Sequence, residues 1–186
     1  MTKNFDLESA LKKFRPFDKV EAEHLDKVLA FVGKGEDLFT RENKQGHIVG
    51  SAFLFNRDLS KILLNFHKKL NRWNQFGGHS DGEKNTMSVA ARELQEESGI
   101  TNFEPLLGEI ADVESHVYPA KNGEPEHIHY DIRFFFVTDE EKFQTSDESK
   151  ELRWFTLDEF KNEKSKILDS DDARKRLLAK WQIAIG

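Results

Sequence analysis

The chain contains no cysteine among its 186 residues, and it has only two methionines and two tyrosines. The absence of cysteine excludes disulfides, thiolate metal sites and a cysteine nucleophile. No apolar run approaches the ~18 residues that a membrane-spanning helix needs. The N-terminal segment MTKNFDLESALKKF lacks the apolar core of a signal peptide. These absences predict a cytoplasmic protein that has no membrane partner.

The charge balance is slightly acidic. Lysine and arginine number 28 against 34 aspartates and glutamates, which gives a formal net charge of −6. A general nucleic-acid-binding protein usually carries a basic surface, so this balance argues against one. Phenylalanine is abundant, at 16 residues, and a chain of this length can bury a substantial core. One globular domain is therefore expected, while the oligomeric state, a homodimer included, stays open.

Helices are predicted at both ends of the chain, with strands between them. Two short helices broken at Pro16 are expected over residues 6–33, and a final helix over residues 171–185. Strands are predicted at residues 47–55, 61–67, 102–112, 127–137 and 151–155. Strands mixed with helices indicate an α/β layered domain.

The segment GGHSDGEKNTMSVAARELQEESGI, residues 77–100, places three glutamates on one predicted helix after a glycine-rich turn. The helical pattern covers residues 86–98, and Gly99 suits a left-handed helix end. At about 100° per residue, the glutamates share an arc of roughly 100° beside an arc of apolar residues. The sequence therefore predicts an acidic stripe next to a core-facing stripe, formed by Glu93, Glu96 and Glu97.

Such a stripe costs stability, because like charges at this spacing repel by roughly a few tenths of a kcal/mol per pair. A solvated acidic face is one interpretation. A divalent cation accounts for more, because clustered carboxylates suit Mg²⁺ or Mn²⁺, which keep some water for a phosphate substrate. The glycines at positions 77 and 78 let backbone groups approach the same ion or phosphate, and Arg92 is spaced to pair with Glu96.

Residues 78–100 resemble the Nudix box, G-x5-E-x7-R-E-U-x-E-E-x-G-U, in which U is a bulky aliphatic residue. One position departs: Lys84 stands where the family has its first glutamate, and Glu83 lies one residue earlier. In the family that glutamate mainly supports the arginine and the loop, so its loss is expected to weaken preorganisation more than metal binding. Eight fixed positions match at the required spacing, namely Gly78, Arg92, Glu93, Leu94, Glu96, Glu97, Gly99 and Ile100.

The resemblance implies a Nudix-type α/β/α sandwich with a mixed β-sheet over residues 46–186, and an N-terminal helical extension over residues 1–45. It also implies a pyrophosphohydrolase that uses Mg²⁺ or Mn²⁺ and acts on a small molecule, a nucleoside diphosphate linked to another moiety or another diphosphate. A nucleotide-binding module that has lost turnover is the alternative, which Lys84 supports. Isopentenyl diphosphate isomerase shares the fold but relies on a cysteine that is missing here.

Carried over residue by residue, the resemblance assigns the chemistry to the box. Glu93 is expected to be a metal ligand or the base that activates water, and Arg92 positions it. Glu96 and Glu97 are expected to be metal ligands, with the carbonyl of Gly77 completing the shell. Metal ions held in this way neutralise phosphate charge and activate water without a covalent nucleophile, which suits a chain that has no cysteine.

The resemblance also implies one more carboxylate, from a late loop before the last strand. Glu148, in the segment TSDESKELRWF, lies where the family places this residue, and Glu151 is the fallback. Taken alone, either residue is an ordinary loop charge. Their role as the catalytic acid of the late loop therefore depends on the resemblance.

A second ionisable group alternates with apolar residues along the predicted strand 127–137. It consists of His127, His129, Asp131 and Arg133, which share one face of a strand. A solvent-facing surface is one interpretation. The resemblance instead turns this face toward a substrate cleft, where Arg133 meets a phosphate. A zinc site made of the two histidines and Asp131 is a further alternative.

Two other features near the box are candidates for substrate binding. His79 lies in the box loop and is expected to be a turn residue that also reaches phosphate or metal-bound water. Arg72 belongs to a basic patch with His67, Lys68 and Lys69 just ahead of the box. Such a patch attracts an anionic substrate, although a patch of this kind is more often solvated surface.

Overall fold

The computed structural model describes residues 5–35, 37–120 and 125–186. The described residues form five helices and eight strands, with two helices at each end and one helix between two sets of four strands. The helices are α1 (Leu7–Lys13), α2 (Lys19–Val32), α3 (Thr86–Ser98), α4 (Leu157–Asn162) and α5 (Asp171–Ile185). The strands are β1 (Gly46–Asn56), β2 (Lys61–His67), β3 (Arg72–Asn74), β4 (Phe76–His79), β5 (Phe103–Pro105), β6 (Asp112–Tyr118), β7 (His127–Thr138) and β8 (Ser149–Thr156). The predicted α/β class is confirmed.

The chain divides into two compact units. The first comprises Met1–Ser51, Gly77–Ala90 and Glu109–Phe134. The second comprises Ala52–Phe76, Ala91–Gly108 and Phe135–Gly186. The strand order is β3-β2-β1-β7-β5, with β4 paired to β1, β6 to β7 and β8 to β2. Strands β1 and β7 and helix α3 each contribute residues to both units.

The N-terminal helices of the first unit begin at side-chain caps and lie on either side of Pro16, as predicted. Asp6 accepts a hydrogen bond from the Ser9 N–H at the start of α1, and Asp18 caps α2 in the same way. Helix α2 then packs on β6. There the buried carboxylate of Glu21 accepts the Val113 N–H at 3.1 Å, which ties the helix to the strand.

Strand β6 departs from the sequence prediction. A strand was expected over residues 102–112, but β5 ends at Pro105, Gly108 has a φ of 65°, and β6 begins only at Asp112. Its sequence, DVESHVY, is too polar to indicate a strand by itself. It becomes one because it pairs antiparallel with β7 along its whole length, from Asp112 opposite Arg133 to Tyr118 opposite His127.

Strand β7 is buried on both faces, apart from the intermediate Ile128. The solvent-facing interpretation of its polar side is therefore wrong. A strand covered on one side only would show the alternation of buried and exposed residues that its sequence suggests. The residues involved are His127, His129, Asp131 and Arg133, all of which are less than 10% exposed.

Helix α3 lies close to β1 in the first unit because Gly50 has no side chain. A Cβ atom at Gly50 would lie 2.6 Å from the carbonyl oxygen of Thr86 and 3.0 Å from the Cβ of Val89. Any larger residue would push the first turns of the helix away from the strand. Gly50 therefore sets how closely the N-terminal part of α3 approaches β1.

In the second unit, β2 pairs antiparallel with β1, β3 and β8. Helix α4 starts at a capping box formed by Thr156 and Glu159 and packs on β8. Helix α5 covers residues 171–185, as predicted, and it buries Trp181, whose Nε1 donates a 2.7 Å hydrogen bond to the Leu59 carbonyl. Among the described residues, none of the helices has the length and apolar character to span a membrane.

Candidate functional site

The acidic stripe lies on helix α3, which is capped at both ends. At its start, Asn85 Oδ1 accepts the Ser88 N–H at 3.1 Å. Asn85 is itself positioned by Glu83, whose carboxylate accepts the Asn85 N–H at 2.7 Å. At its end, Gly99 has a φ of 69°, which confirms the predicted left-handed helix end. The caps fix where the helix begins and ends, and hence which residues share its acidic face.

Arg92 pairs with two of the three glutamates. Its Nη1 lies 3.0 Å from Glu93 Oε1 and 3.9 Å from Glu96 Oε2. The predicted pairing with Glu96 is present, and the contact with Glu93 is the closer one. The Glu93 side chain is 15% exposed, whereas that of Glu96 is 60% exposed. The arginine thus offsets part of the repulsion in the stripe and fixes the less exposed carboxylate.

The third glutamate, Glu97, is buried and has a partner that sequence reasoning missed. Its Oε2 accepts a 2.6 Å hydrogen bond from Nδ2 of Asn65, a residue of β2 that is fully buried. This short bond fixes the orientation of the Glu97 carboxyl group. The available signal was a polar residue inside the apolar run KILLNFH.

The late-loop residue Glu148 lies in the turn before β8, next to the basic patch. Its carboxylate is 3.7 Å from Lys69 Nζ and 3.9 Å from His67 Nε2. The fallback residue Glu151 lies on β8 itself, opposite Phe66 of β2. Glu148 therefore contacts the basic patch. The assignment of Glu148 or Glu151 as the late-loop carboxylate stays a prediction.

Arg72, the remaining candidate in the basic patch, contacts acceptors of its own unit. Its Nε donates a 3.1 Å hydrogen bond to Asn74 Oδ1, and its guanidinium pairs with Asp169. The side chain is only 16% exposed. A phosphate at Arg72 would therefore compete with the carboxylate of Asp169.

The box loop belongs to the first unit up to Ala90 and depends on close backbone packing. A Cβ atom at Gly77 would lie 2.2 Å from Ser51 Oγ, so only glycine fits here beside β1. Asp81 and Gly82 both have positive φ, at 46° and 91°, which confirms the predicted turn. Lys84 follows this turn and is exposed.

Arg133 is enclosed by carboxylates of the first unit. It is 1% exposed, its Nε lies 2.7 Å from Asp131 Oδ2, and its Nη1 lies 3.2 Å from Asp112 Oδ2 and 3.4 Å from Glu114 Oε2. Burial by itself would lower the pKa of the guanidinium, but the three carboxylates outweigh it and raise that pKa above the usual value. Arg133 therefore holds a buried ion cluster together. The role that the resemblance implied for Arg133, a phosphate contact in a substrate cleft, stays a prediction.

Histidines from four strands of the first unit meet in one cluster. His47 on β1 lies between His79 on β4 and the pair His127 and His129 on β7, with ring centroids 4.8–4.9 Å from its own. His116 of β6 lies against His129, with the ring centroids 5.4 Å apart. The predicted residues His79, His127 and His129 are thus brought together. His47, which sequence reasoning missed, lies at their centre.

The central rings of this histidine cluster are neutral. Burial, with a smaller contribution from the neighbouring His79 and His127, lowers the pKa of His47 to about 4. Burial also lowers the pKa of His129 to about 2, again with help from nearby rings. Both imidazoles are therefore uncharged at neutral pH. Each has a nitrogen lone pair that can accept a hydrogen bond or bind a metal ion.

Comparison with known proteins gives one family. A model of the Nudix domain matches residues 44–179 of the chain. No curated protein matches it. Among solved structures, the chain is similar to a Nudix-family hydrolase from Clostridium perfringens, with 21% identity and a TM-score of 0.56. That alignment covers 74% of this chain and 97% of the other.

Two further solved structures show the same likeness. A MutT Nudix hydrolase from Burkholderia pseudomallei is 18% identical, with a TM-score of 0.54 and coverage of 73% of this chain and 98% of that one. An ADP-ribose pyrophosphatase from Streptococcus suis is 16% identical, with a TM-score of 0.52 and coverage of 75% and 92%. At these identities the likeness shows a shared fold.

Proposed function

The chain belongs to the Nudix family of pyrophosphohydrolases, and we propose that it hydrolyses the pyrophosphate bond of a nucleoside diphosphate linked to another moiety. The family predicted from residues 78–100 is thereby confirmed. The observation that carries the proposal is the acidic stripe of α3, in which Arg92 contacts Glu93 and Glu96 while Asn65 orients Glu97. A solvated acidic face needs no buried, hydrogen-bonded carboxylate, whereas a metal site does.

The donor set fits a hard divalent cation. Glu93, Glu96 and Glu97 offer carboxylate oxygens from adjacent positions of one helix, which are the ligands that Mg²⁺ and Mn²⁺ prefer. We propose these three residues as the ligands, with the carbonyl of Gly77 as a further one. When bound, the ion would neutralise phosphate charge and lower the pKa of a water molecule.

The protein residues then have separate tasks. Arg92 holds the Glu93 carboxylate, so that Glu93 serves either as a ligand or as the base that takes a proton from the attacking water. Asn65 holds the Glu97 carboxylate in place. The side chain therefore needs less rearrangement when negative charge develops on the substrate in the transition state. Glu148, or Glu151 in its place, is proposed as the late-loop carboxylate that assists the water.

The exposure and ion pairs of the proposed substrate-binding residues favour some of them over others as phosphate contacts. Arg133 and Asp131 are buried partners of each other, so a phosphate at Arg133 would have to displace a carboxylate. Arg72 also pairs with a carboxylate, that of Asp169, but its side chain is 16% exposed against 1% for Arg133. His79, at the end of β4, is half-buried. We therefore favour the more accessible His79 and Arg72 as phosphate contacts over Arg133.

A Nudix-fold binding module without turnover is the second candidate, and Lys84 in place of the first box glutamate favours it. Formation of the cleaved nucleotide products, resolved by chromatography, separates the two functions. The purified protein is incubated with ADP-ribose, dinucleoside polyphosphates, NADH, sugar nucleotides and oxidised deoxynucleoside triphosphates, with and without Mg²⁺. We expect Mg²⁺-dependent hydrolysis of at least one compound.

The variant Glu97→Gln, which removes charge without changing shape, should retain the fold and lose most of that activity. The control is Glu23→Gln on α2, which removes an exposed carboxylate and should hydrolyse the same compound at the wild-type rate. If the wild-type protein binds a compound of the panel but forms no cleaved nucleotide product from any of them at any Mg²⁺ concentration, the binding module is the correct function. If Glu97→Gln keeps the wild-type rate, the site assignment is wrong.

A further inference from the structure

We propose that His47, His127 and His129 form a binding site for one Zn²⁺ ion, whose ligands differ from the glutamates of α3. All three residues are buried in the first unit, and one ring nitrogen from each lies within 4.8 Å of the other two. Three imidazoles gathered in this way match a zinc site with three histidine ligands and a fourth position for water. The inference does not depend on the proposed hydrolase activity.

The hydrogen bond of His127 fixes the tautomer that a metal ligand needs. His127 Nδ1 lies 2.8 Å from the carbonyl oxygen of Pro125. A carbonyl oxygen only accepts, so Nδ1 carries the proton. In a neutral imidazole the lone pair is then on Nε2, the atom that faces His129. Metal-binding histidines commonly donate their other N–H to a backbone carbonyl, and Pro125 supplies this contact.

The spacing of the two β7 histidines suits a single ion. His129 Nε2 donates a 3.1 Å hydrogen bond to His127 Nε2, and an ion between the two nitrogens would replace this bond once the His129 proton moves to Nδ1. With Zn–N bonds of about 2.0–2.1 Å, two nitrogens in a tetrahedral shell are about 3.3 Å apart. The two rings therefore need only a small adjustment to bind the same ion. They can hold this spacing because residues two apart on a strand lie on the same face.

His47 supplies the third nitrogen, and its own environment requires a partner. Both of its ring nitrogens are buried, and neither has a hydrogen-bond partner among the described residues. A buried polar group without a partner costs free energy, and a coordinated ion would satisfy one of these nitrogens. The third ligand is thus His47. Asp131, which the sequence offered for this place, pairs with Arg133 instead.

The nature of the ligands selects the metal. Imidazole nitrogens favour borderline ions such as Zn²⁺, whereas Mg²⁺ takes oxygen ligands. A pocket reaches two of the ligands, and a water molecule can therefore enter to fill the fourth position. The residues that line this pocket are Arg41, Asn43, Lys44, His47, Pro125 and His127.

Cobalt tests the geometry directly, because Co²⁺ replaces Zn²⁺ and absorbs visible light more strongly when four-coordinate than when six-coordinate. The full chain is prepared without a histidine tag, treated with a chelator and titrated with CoCl₂ in the presence of excess MgCl₂. We expect an intense visible band that saturates at one Co²⁺ per chain and disappears on addition of one equivalent of Zn²⁺. A weak band only, or none, would overturn the proposal.

Variants identify the ligands. Each of His47→Gln, His127→Gln and His129→Gln should weaken Co²⁺ binding by more than about tenfold. The matched control is His116→Gln, which alters a ring next to His129 but outside the three. The control should bind Co²⁺ as the wild type does. Loss of the band in His116→Gln, with retention in His47→Gln, would overturn the assignment.

A further variant separates this site from the carboxylates of α3. In Glu93→Gln with Glu97→Gln, the intense cobalt band should persist even though hydrolysis is lost. Disappearance of the band in this variant would place the ion on the glutamates and refute the histidine site.

A last measurement needs no variant, in case the glutamine substitutions prevent folding. X-ray absorption at the zinc edge, on the wild-type chain loaded with one equivalent of Zn²⁺, counts the imidazole ligands. We expect three imidazole nitrogens at about 2.0–2.1 Å together with one oxygen ligand from water. A shell of oxygen atoms without imidazole scattering would show that zinc binds elsewhere.

Discussion

Asn65 Nδ2 donates a 2.6 Å hydrogen bond to Glu97 Oε2, and both residues are buried. The bond crosses from strand β2 to helix α3, between residues that are distant in the sequence. It sets the orientation of a carboxylate that the box alone could only place on a helical face. The arrangement resembles the hydrogen bonds that orient metal ligands in other proteins, and its removal has measurable consequences.

Replacement of Asn65 by alanine should weaken the proposed Mg²⁺ site. The variant loses the donor that orients Glu97, and loss of such a bond typically costs about 10–100-fold in metal affinity or activity. The measurement is the hydrolysis rate of the best substrate as a function of Mg²⁺ concentration. Asn74→Ala, which alters the residue opposite Asn65 on β3, is the control and should cause a smaller loss. An unchanged Mg²⁺ dependence in Asn65→Ala would show that this bond is only structural.

Divalent cations should stabilise the folded protein by relieving repulsion in the acidic stripe. We expect Mg²⁺ or Mn²⁺ to raise the Tm of the wild type, because an ion that binds only the folded state shifts unfolding by mass action. The double variant Glu96→Gln, Glu97→Gln should show a smaller rise, measured by calorimetry at equal ion concentrations. Glu23→Gln should keep the full rise. If the double variant also keeps it, the ion binds elsewhere.

Replacement of Lys84, which stands where the box has its first glutamate, should not impair activity. Lys84 is exposed, and the neighbouring Glu83 positions the helix cap through Asn85. We therefore expect Lys84→Glu, which restores the family residue, to be neutral or mildly activating. Glu83→Gln should lower kcat several-fold with little change in KM, because it weakens a charge-assisted bond at the start of α3. Steady-state kinetics of both variants on the best substrate provide the test.

The opposite result for Lys84 has a clear signature. If Lys84→Glu raises KM by more than about tenfold while kcat holds, the lysine has lost a binding contact that acts equally in the ground and transition states. Lys84 would then be a ligand of the substrate phosphate, which a flexible ammonium can be. The solvent-exposed interpretation would be wrong.

Arg133 should matter far more for stability than an exposed arginine that also pairs with carboxylates. Arg133→Met leaves three buried carboxylates without this partner, and breaking a buried ion pair typically costs about 3–5 kcal/mol. Arg57 pairs with Asp139 and Glu104 at an exposed position, so Arg57→Met should change the urea midpoint only slightly. Equal losses in the two variants, measured by urea denaturation, would contradict a structural role for the buried cluster.

Local features of the sequence were sufficient for most of the helices and for the acidic stripe. Helix α5 begins and ends where its pattern predicts, and α3 ends at Gly99 with the expected left-handed backbone. Residues three and four apart lie on one helical face whatever the rest of the fold does, so the spacing of Glu93, Glu96 and Glu97 decided their arrangement. For the same reason the box could be recognised without a structure.

Strand pairing and side-chain environment were decided only by the tertiary structure. DVESHVY becomes strand β6 because it pairs with β7, and the polar face of β7 is buried because other residues of the first unit cover it. Asn65 reaches Glu97, and His47 reaches His127 and His129, only after distant segments pack together. A pattern with a period of two residues tells which side chains share a face of a strand. It does not tell which strand lies beside it, and that neighbour decides whether a polar side chain meets water, an ion or another ring.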